Sequence, residues 1–367
     1  MKIYVPDHIK TLRPYKSGNQ VGKKISREQF KKLVNLASNE NPLGASPKAV
    51  EAIKNSVEDI AVYPNPAATE LVNAIANHFD KDPECIITGS GSDSIIADVF
   101  KAFTREGQEI ITASATFIGA YVNANKLNRH LIKVDLKDDY SYDLDSMISE
   151  ITRSTRIVYL ANPNNPTGMM ITKSEFENFM EEVPSDVLVV LDEAYYTYAG
   201  EYEDYPNGFD YDYENLIVLR TMSKSYGLAG ARVGFAYGPK ELIDFMYRVK
   251  LPFEPNILAQ KAAVAALDDD EFIVKTTETN SRNLAKLKSF FNEMGIKHTD
   301  GKANFIMVEL EDEELALKFA EESLQSGFVV RPLGMFGLDN CLRINSGDDE
   351  QTDKAIEVFK QVIEKIK

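Results

Sequence analysis

Cysteine is nearly absent from this 367-residue chain: there are two, Cys85 and Cys341, far apart in sequence. No disulfide framework and no Cys-x-x-Cys site follows from them, and a reducing, cytoplasmic setting is expected. Histidine is almost as scarce. His8, His78, His130 and His298 are scattered without the spacing that ligates zinc, so no metal site is expected. Long apolar runs are missing as well. The start, MKIYVPDHIKTL, lacks the apolar stretch of a leader peptide, and nothing later approaches the ~20 apolar residues of a membrane span. Positive charge is in deficit. With 41 Lys and Arg against 57 Asp and Glu, the formal net charge is -16, which makes nucleic acid and anionic membrane poor partners. An anionic small molecule is not excluded, because salt screens a distant acidic surface and a local pair of arginines outweighs it.

What is present reads as an ordinary soluble protein, 44% hydrophobic and 27% charged. The length exceeds what one compact core usually carries, so a large domain plus a smaller one is expected. From residue 46 amphipathic helices alternate with short apolar strands. Ser46 and Pro47 read as an N-cap and first helical position, and Val50, Ile53 and Val57 share a face after them. Leu71, Val72, Ile75 and Phe79 repeat the pattern. The apolar runs CIIT (85–88), EIITA (109–113), RIVYLA (156–161), VLVVLD (187–192), LIVLRT (216–221) and VGFAYG (233–238) suit a parallel sheet covered by helices on both faces. After LPFEPN (251–256) a long helical stretch, strands at 304–310, 328–332 and 341–346, and a terminal helix over 349–366 indicate α+β organisation. The expected fold is therefore α/β, a large domain with a mostly parallel sheet plus a smaller α+β domain. The expected division is an extended arm (1–30), a large domain (31–250) and a small one (251–367).

Ligands of parallel sheets gather at the carboxyl ends of the strands, and five of these runs end in unusual polar sequence. CIIT leads into Gly89-Ser90-Gly91-Ser92-Asp93, a glycine turn opening a helix. Such a turn offers backbone N–H groups to a phosphate, though it is equally a bland strand-to-helix connection. EIITA leads into Ser114-Ala115-Thr116-Phe117, and RIVYLA into NPNNPTG (162–168). VLVVL leads into Asp192-Glu193-Ala194-Tyr195. A carboxylate closing an apolar strand needs a partner; it is either a helix N-cap or a counter-ion for a protonated heterocycle. LIVLR leads into Thr221-Met222-Ser223-Lys224-Ser225. A lone lysine is usually a solvated surface residue, but one set between serines and followed by GLAGARVG is less ordinary.

Together these segments resemble the fold-type-I aminotransferases that use pyridoxal 5'-phosphate, and most closely their histidinol-phosphate aminotransferase group. The likeness rests on SNENPLG (38–44), YPNP (63–66), TGSGSD (88–93), NPNNPTG (162–168), LDEAY (191–195), SKSYGLAGARVG (223–234), VVRPLG (329–334) and LRINSG (342–347), with IKTLRPYKSG (9–18) in the arm. It covers essentially the whole chain. The resemblance implies that Lys224 holds the cofactor covalently and moves the substrate proton, because the chemistry needs an amine that is both nucleophile and base. Asp192 would keep the pyridine nitrogen protonated. Asn165 and Tyr195 would bind the ring's phenolic oxygen, and Phe117 would stack on the ring. Ser92, Asp93, Ser223 and Arg232 would hold the phosphate, joined by Tyr63 from a neighbouring subunit, which implies a homodimer. Arg343 and Arg331 would grip the substrate anion, with a fork geometry that lysine lacks, and Tyr15 would reach the substrate from the arm.

The sequence departs from the family pattern at Ala115, where proline is common, at Phe117, where tyrosine is frequent, and at Ser94, where an acid is usual. The small-molecule partners implied are an amino donor and a 2-oxo acid. Histidinol phosphate with 2-oxoglutarate is the first expectation. An aromatic amino acid donor, or decarboxylation of a threonine phosphate on the same fold, stands beside it. A cofactor-binding regulator would need a DNA-binding module, for which the segment before residue 38 has no room.

Overall fold

The computed structural model describes residues 3–12 and 33–366. The arm holds a short helix, Asp7–Thr11, where an extended chain is expected from its prolines and charges. Tyr15 lies outside the described residues.

In chain order the strands are β1 (Val34–Asn35), β2 (Ile86–Gly89), β3 (Glu109–Ala113), β4 (His130–Val134), β5 (Thr155–Ala161), β6 (Leu188–Asp192), β7 (Leu216–Thr221) and β8 (Gly234–Tyr237), followed by β9 (Lys297–His298), β10 (Phe305–Glu309), β11 (Phe328–Val329), β12 (Arg331–Leu333) and β13 (Leu338–Asn345). A seven-stranded sheet has the order β2-β8-β7-β6-β5-β3-β4. From β7 through β4 its neighbours are parallel. The run VGFAYG, read with the parallel strands, instead runs antiparallel to both neighbours as β8. The link from β7 to β8 contains no crossover helix, and a strand that turns straight back must pair antiparallel. β4 went unread because it is an edge strand. Its sequence, HLIKV, exposes histidine and leaves only Val134 fully buried, so no apolar run marks it.

Helices cover both faces of this sheet. On one, Thr69–Phe79, Lys173–Glu182 and Ile257–Leu267 pack over Val158, Leu160, Val189 and Leu191. On the other, Ser92–Phe103, Ile118–Lys126 and Lys240–Tyr247 pack over Ile157, Tyr159, Val190 and Leu219. Each fully buried aliphatic side chain here contributes roughly 1.5–3 kcal/mol relative to exposure. Helix entry follows the expected chemistry: the Ser46 side chain accepts from the Ala49 N–H and Pro47 occupies the first position. The helix after the two-proline break, Ile257–Leu267, buries its alanines against Pro47–Asn55 and Thr69–Phe79.

The second sheet is antiparallel, in the order β12-β13-β10-β9. The helices Asp270–Glu293, Glu313–Gln325 and Asp349–Ile366 share a core with it, in which Phe359 and Ile363 of the terminal helix are buried. β1 pairs with β11, and the following segment is stitched to β13 where the Asn345 N–H donates to the Leu36 carbonyl. This short crossing carries residues 37–40 between the two sheets.

The tyrosine- and acid-rich segment 198–214 has a structural task. Phe209 enters the core, Tyr205 donates to the Asn162 carbonyl, and Asn207 accepts from Arg220. It closes over a buried ion pair between Glu193 and Arg220.

Candidate active site

The carboxyl ends of β2, β3, β5, β6 and β7 converge on a cavity of about 270 Å³, with residues 37–40 and the second sheet forming its other side. The cavity brings together Ser92, Asp93, Phe117, Asn165, Asp192, Tyr195, Ser223, Lys224, Arg232, Arg331 and Arg343.

Lys224 follows β7 in a loop fixed by its own side chains: the Thr221 hydroxyl donates to Ser223 Oγ at 3.0 Å. Gly227, at φ +69°, lets the loop lie against residues 44–45; a Cβ there would meet the Gly44 oxygen at 2.0 Å. Lys224 Nζ donates to the Ser38 carbonyl at 3.3 Å. Burial, helped by the Arg343 guanidinium, pushes the amine down to about 8, while Glu40 and Asp192 pull it up. Roughly a tenth of this lysine is therefore an uncharged nucleophile and base at pH 7, several hundredfold more than for a lysine at its ordinary value of 10.5.

Asp192 closes β6 and is buried. Its Oδ2 accepts from the Tyr159 hydroxyl at 2.6 Å, whereas Oδ1 is buried without a well-aligned hydrogen-bond partner. Burial pushes its carboxyl up to about 6 against the pull of Tyr159. The Ala194 N–H also favours the charged form, but a buried carboxylate oxygen without a well-aligned partner, on a residue that lines a cavity, is costly unless a ligand donates to it.

At another corner the helix Ser92–Phe103 begins with no side-chain cap on its first turn. Gly91 precedes it at φ +82°, and a Cβ there would come 2.4 Å from an Arg232 guanidinium nitrogen. Glycine is thus what allows the arginine to approach the helix start. Arg232 also donates to the Ser223 hydroxyl at 3.4 Å. Open backbone N–H groups, a positive dipole end and a guanidinium make a socket for a phosphate.

Between these corners Tyr195 accepts from Asn39 Nδ2 at 2.8 Å, and Asn165 accepts from Arg343. Phe117 and Phe336 are wall residues. Arg343, 6% exposed, also donates to the Ala37 carbonyl at 2.7 Å. Arg331 is its cross-strand partner in the β12–β13 pair, so two guanidiniums face one side of the cavity.

Tyr63 is not in this group. It is 82% exposed and stacks on Phe253 with ring centroids 4.6 Å apart. Residues the sequence reading did not assign to the site are Tyr159, Thr221, and Ser38, Asn39 and Glu40 of the crossing segment. Asn39 carried a signal: it sits in SNENPLG and adopts φ +54°, a conformation asparagine tolerates. Tyr159 carried none, being one aromatic in an apolar strand.

An amine base, a carboxylate with an open oxygen, an anion socket and an arginine pair in one cavity define a site for group transfer on an anionic organic molecule. The family model for aminotransferase class I and II matches residues 31–359. The chain is 37% identical over 362 residues to histidinol-phosphate aminotransferase 1 of Bacillus thuringiensis subsp. konkukian, covering 98% of this chain and 96% of that one. It is 36% identical to histidinol-phosphate aminotransferase of Bacillus subtilis, covering 98% and 99%. Among solved structures, histidinol-phosphate aminotransferase from Sinorhizobium meliloti in complex with pyridoxal-5'-phosphate superposes with a TM-score of 0.91 at 25% identity, covering 100% of this chain and 99% of that one. This chain belongs to the aminotransferase class I and II family and has the fold-type-I architecture.

Proposed function

We propose that this protein transfers an amino group from histidinol phosphate to 2-oxoglutarate with pyridoxal 5'-phosphate as cofactor, a step of histidine biosynthesis in the cytoplasm. The observation that carries the reading is the open, buried Oδ1 of Asp192 in the same cavity as the Lys224 amine and the uncapped helix Ser92–Phe103. These residues fit the cofactor: Asp192 would pair with a protonated ring nitrogen, Lys224 would hold the carbonyl carbon, and the helix start would take the phosphate. When bound, the cofactor supplies the electron sink that makes the donor's Cα–H acidic.

The chain's own residues do the rest. The Ser92 and Asp93 N–H groups, Ser223 and Arg232 bind the cofactor phosphate. Phe117 would pack against the ring, and Asn165 and Tyr195 would bind its phenolic oxygen. Asp192 holds a proton on the ring nitrogen by its negative charge. Lys224 Nζ anchors the cofactor, then takes the proton from the donor's Cα. Arg331 and Arg343 receive the donor's phosphate dianion and, in the other half-reaction, a carboxylate of the acceptor. Tyr15 adds a neutral donor from the arm. In this reading the site is shared between a cofactor-carrying lobe (31–250) and an arginine-carrying lobe (251–367).

The working unit is a homodimer. Tyr63 and Phe253, with Ile60, Val62 and Leu251 near them in sequence, are exposed apolar side chains of the kind that subunit contact covers, and Tyr63 would reach the cofactor phosphate of the neighbouring subunit. The test is kcat/KM for histidinol phosphate against phenylalanine and tyrosine, with the keto product identified. Histidinol phosphate is expected to be the better substrate; a preference for an aromatic amino acid overturns the substrate assignment.

A further inference from the structure

Tyr159 lies near the middle of β5, on the sheet face covered by the helix Ser92–Phe103, in an apolar cluster with Ile87, Ile96 and Leu219. Its side chain is fully buried, and it does not line the cavity. A phenol oxygen in apolar surroundings needs a partner, and this one donates to Asp192 Oδ2 at 2.6 Å. The donor is permanent, because burial and the Asp192 charge hold the phenol's ionisation well above its ordinary range. The acceptor has two oxygens, one engaged by Tyr159 and the other without a well-aligned partner, while the Ala194 N–H lends the charged form weaker support than Tyr159 does.

We infer that Tyr159 is a positioning residue for the reaction: its hydroxyl engages one oxygen of Asp192, holds the carboxylate in its charged form, and leaves Oδ1 as the oxygen offered to the cavity. The inference rests on the reading of Asp192 as the partner of the cofactor's ring nitrogen. The surroundings make such a device necessary. Burial favours neutral Asp192, and so do the charges of Asp93 at the helix start and of Glu193 next in the chain. Lys224 opposes them from the loop after β7, and the Tyr142 and Tyr195 hydroxyls lie close enough to feel the carboxylate's charge. Against burial, the Tyr159 hydrogen bond is the strongest influence on the charged side.

The test is Tyr159→Phe, which keeps the ring and removes only the donor. Cofactor binding to the apoprotein is titrated from pH 5 to 9, alongside kcat and KM of the loaded enzyme. Loss of the donor raises the pH at which Asp192 loses its proton, so the acid limb of cofactor affinity should move up by about one pH unit, with affinity falling up to roughly tenfold on that limb. The limb should not move when the same change is made in an Asp192→Asn background. Turnover should fall with KM for the amino donor unchanged. Tyr142→Phe is the control: it removes another fully buried hydroxyl, one that bonds to the Ala161 carbonyl and Asn164, and should leave the limb in place. A limb unmoved in Tyr159→Phe, moved equally in the Asp192→Asn background, or moved equally by Tyr142→Phe overturns the inference. Wild-type protein that binds no cofactor overturns the reading of Asp192 as well, so the two failures are distinguishable.

Discussion

Two consecutive carboxylates stand at the end of β6, and both are buried. Glu193 accepts two hydrogen bonds from Arg220, at 2.8 and 3.0 Å, and one from the Gly208 N–H at 2.7 Å. Arg220 is itself buried between the rings of Tyr196 and Phe209, 3.8 Å from each centroid, and Asn207 accepts from it as well. Asp192, which lines the cavity, has the Tyr159 hydroxyl on one oxygen and no well-aligned partner on the other. Glu193 and Arg220 complete each other and fasten β6, β7 and the segment 198–214 together. Asp192 is complete only with a ligand. The contrast teaches how to read a buried charge: when every hydrogen-bonding position is filled from within the chain the group is structural, and when one is left open at a cavity the group is held for chemistry.

The comparison extends to the cations. Arg220 is paired with Glu193 and locked in its charged form, whereas Lys224 donates to the Ser38 carbonyl and feels Asp192 weakly at a distance. Replacing Lys224 with Ala should therefore have the largest effect, a loss of turnover of at least about a thousandfold together with the visible absorbance of lysine-bound cofactor. Borohydride fixing of the cofactor to a different lysine would break the assignment. Asp192→Asn should keep the fold and cofactor binding but lower kcat on the order of a hundredfold or more. Glu193→Gln should do the reverse. It leaves the buried Arg220 charge without its counter-ion and should cost about 3 kcal/mol in urea-unfolding stability, with kcat per folded molecule within roughly threefold of wild type. If the two variants exchange these signatures, the distinction between the carboxylates fails.

Much of this was legible in the sequence because the cofactor corner is built from local signals. A polar tail after an apolar strand marks Asp192, Lys224 and Ser92–Asp93, since chain order alone brings parallel strand ends to one rim. β8 was misassigned in direction because a strand's apolar run says nothing of its orientation; the loop before it does. The buried pair was missed although each member was visible as a charge within or just beyond an apolar strand, LIVLRT for Arg220 and LDEAY for Glu193. Pairing them needed the register of β6 against β7, which no local pattern supplies. Asn39 and Ser38 reach the site through a crossing from β1 to the end of β13, a contact more than 300 residues away in sequence. Tyr159 depends on one hydroxyl across two strands.

A smaller effect separates the two arginines of the cavity from the arginine of the buried pair. Arg331 is half-buried on β12 opposite Arg343. Its loss removes charge-assisted hydrogen bonds worth roughly 1.5–3 kcal/mol. Arg331→Ala should therefore lower kcat/KM for histidinol phosphate about 10- to 100-fold while changing that for phenylalanine far less. Equal losses for both substrates would mean that Arg331 holds the fold, as Arg220 does, and not the donor's phosphate.

The smallest effect tests why Lys224 differs from Arg220. Its amine lies at about 8 through burial first and the Arg343 charge second, with Glu40 and Asp192 pulling upward. Cofactor capture by the apoprotein needs the uncharged amine, so its rate should rise with pH through about 8 and then level off. Arg343→Gln removes a like charge, which lets the amine keep its proton longer and moves that limb to higher pH, by less than about one unit. Glu40→Gln removes an attracting charge and should move it to lower pH. The same group leaves a mark on stability. Because the folded lysine releases its proton near 8 and the unfolded one near 10.5, the unfolded chain binds more protons across that window, and the lysine's contribution to apoprotein stability rises with pH between the two values. Urea midpoints of the apoprotein from pH 8 to 10 should show this rise in wild type and a flatter profile in Lys224→Met. Limbs that stay in place in both Arg343→Gln and Glu40→Gln would mean that neither charge acts on the amine, and that burial alone sets it apart from the paired arginine.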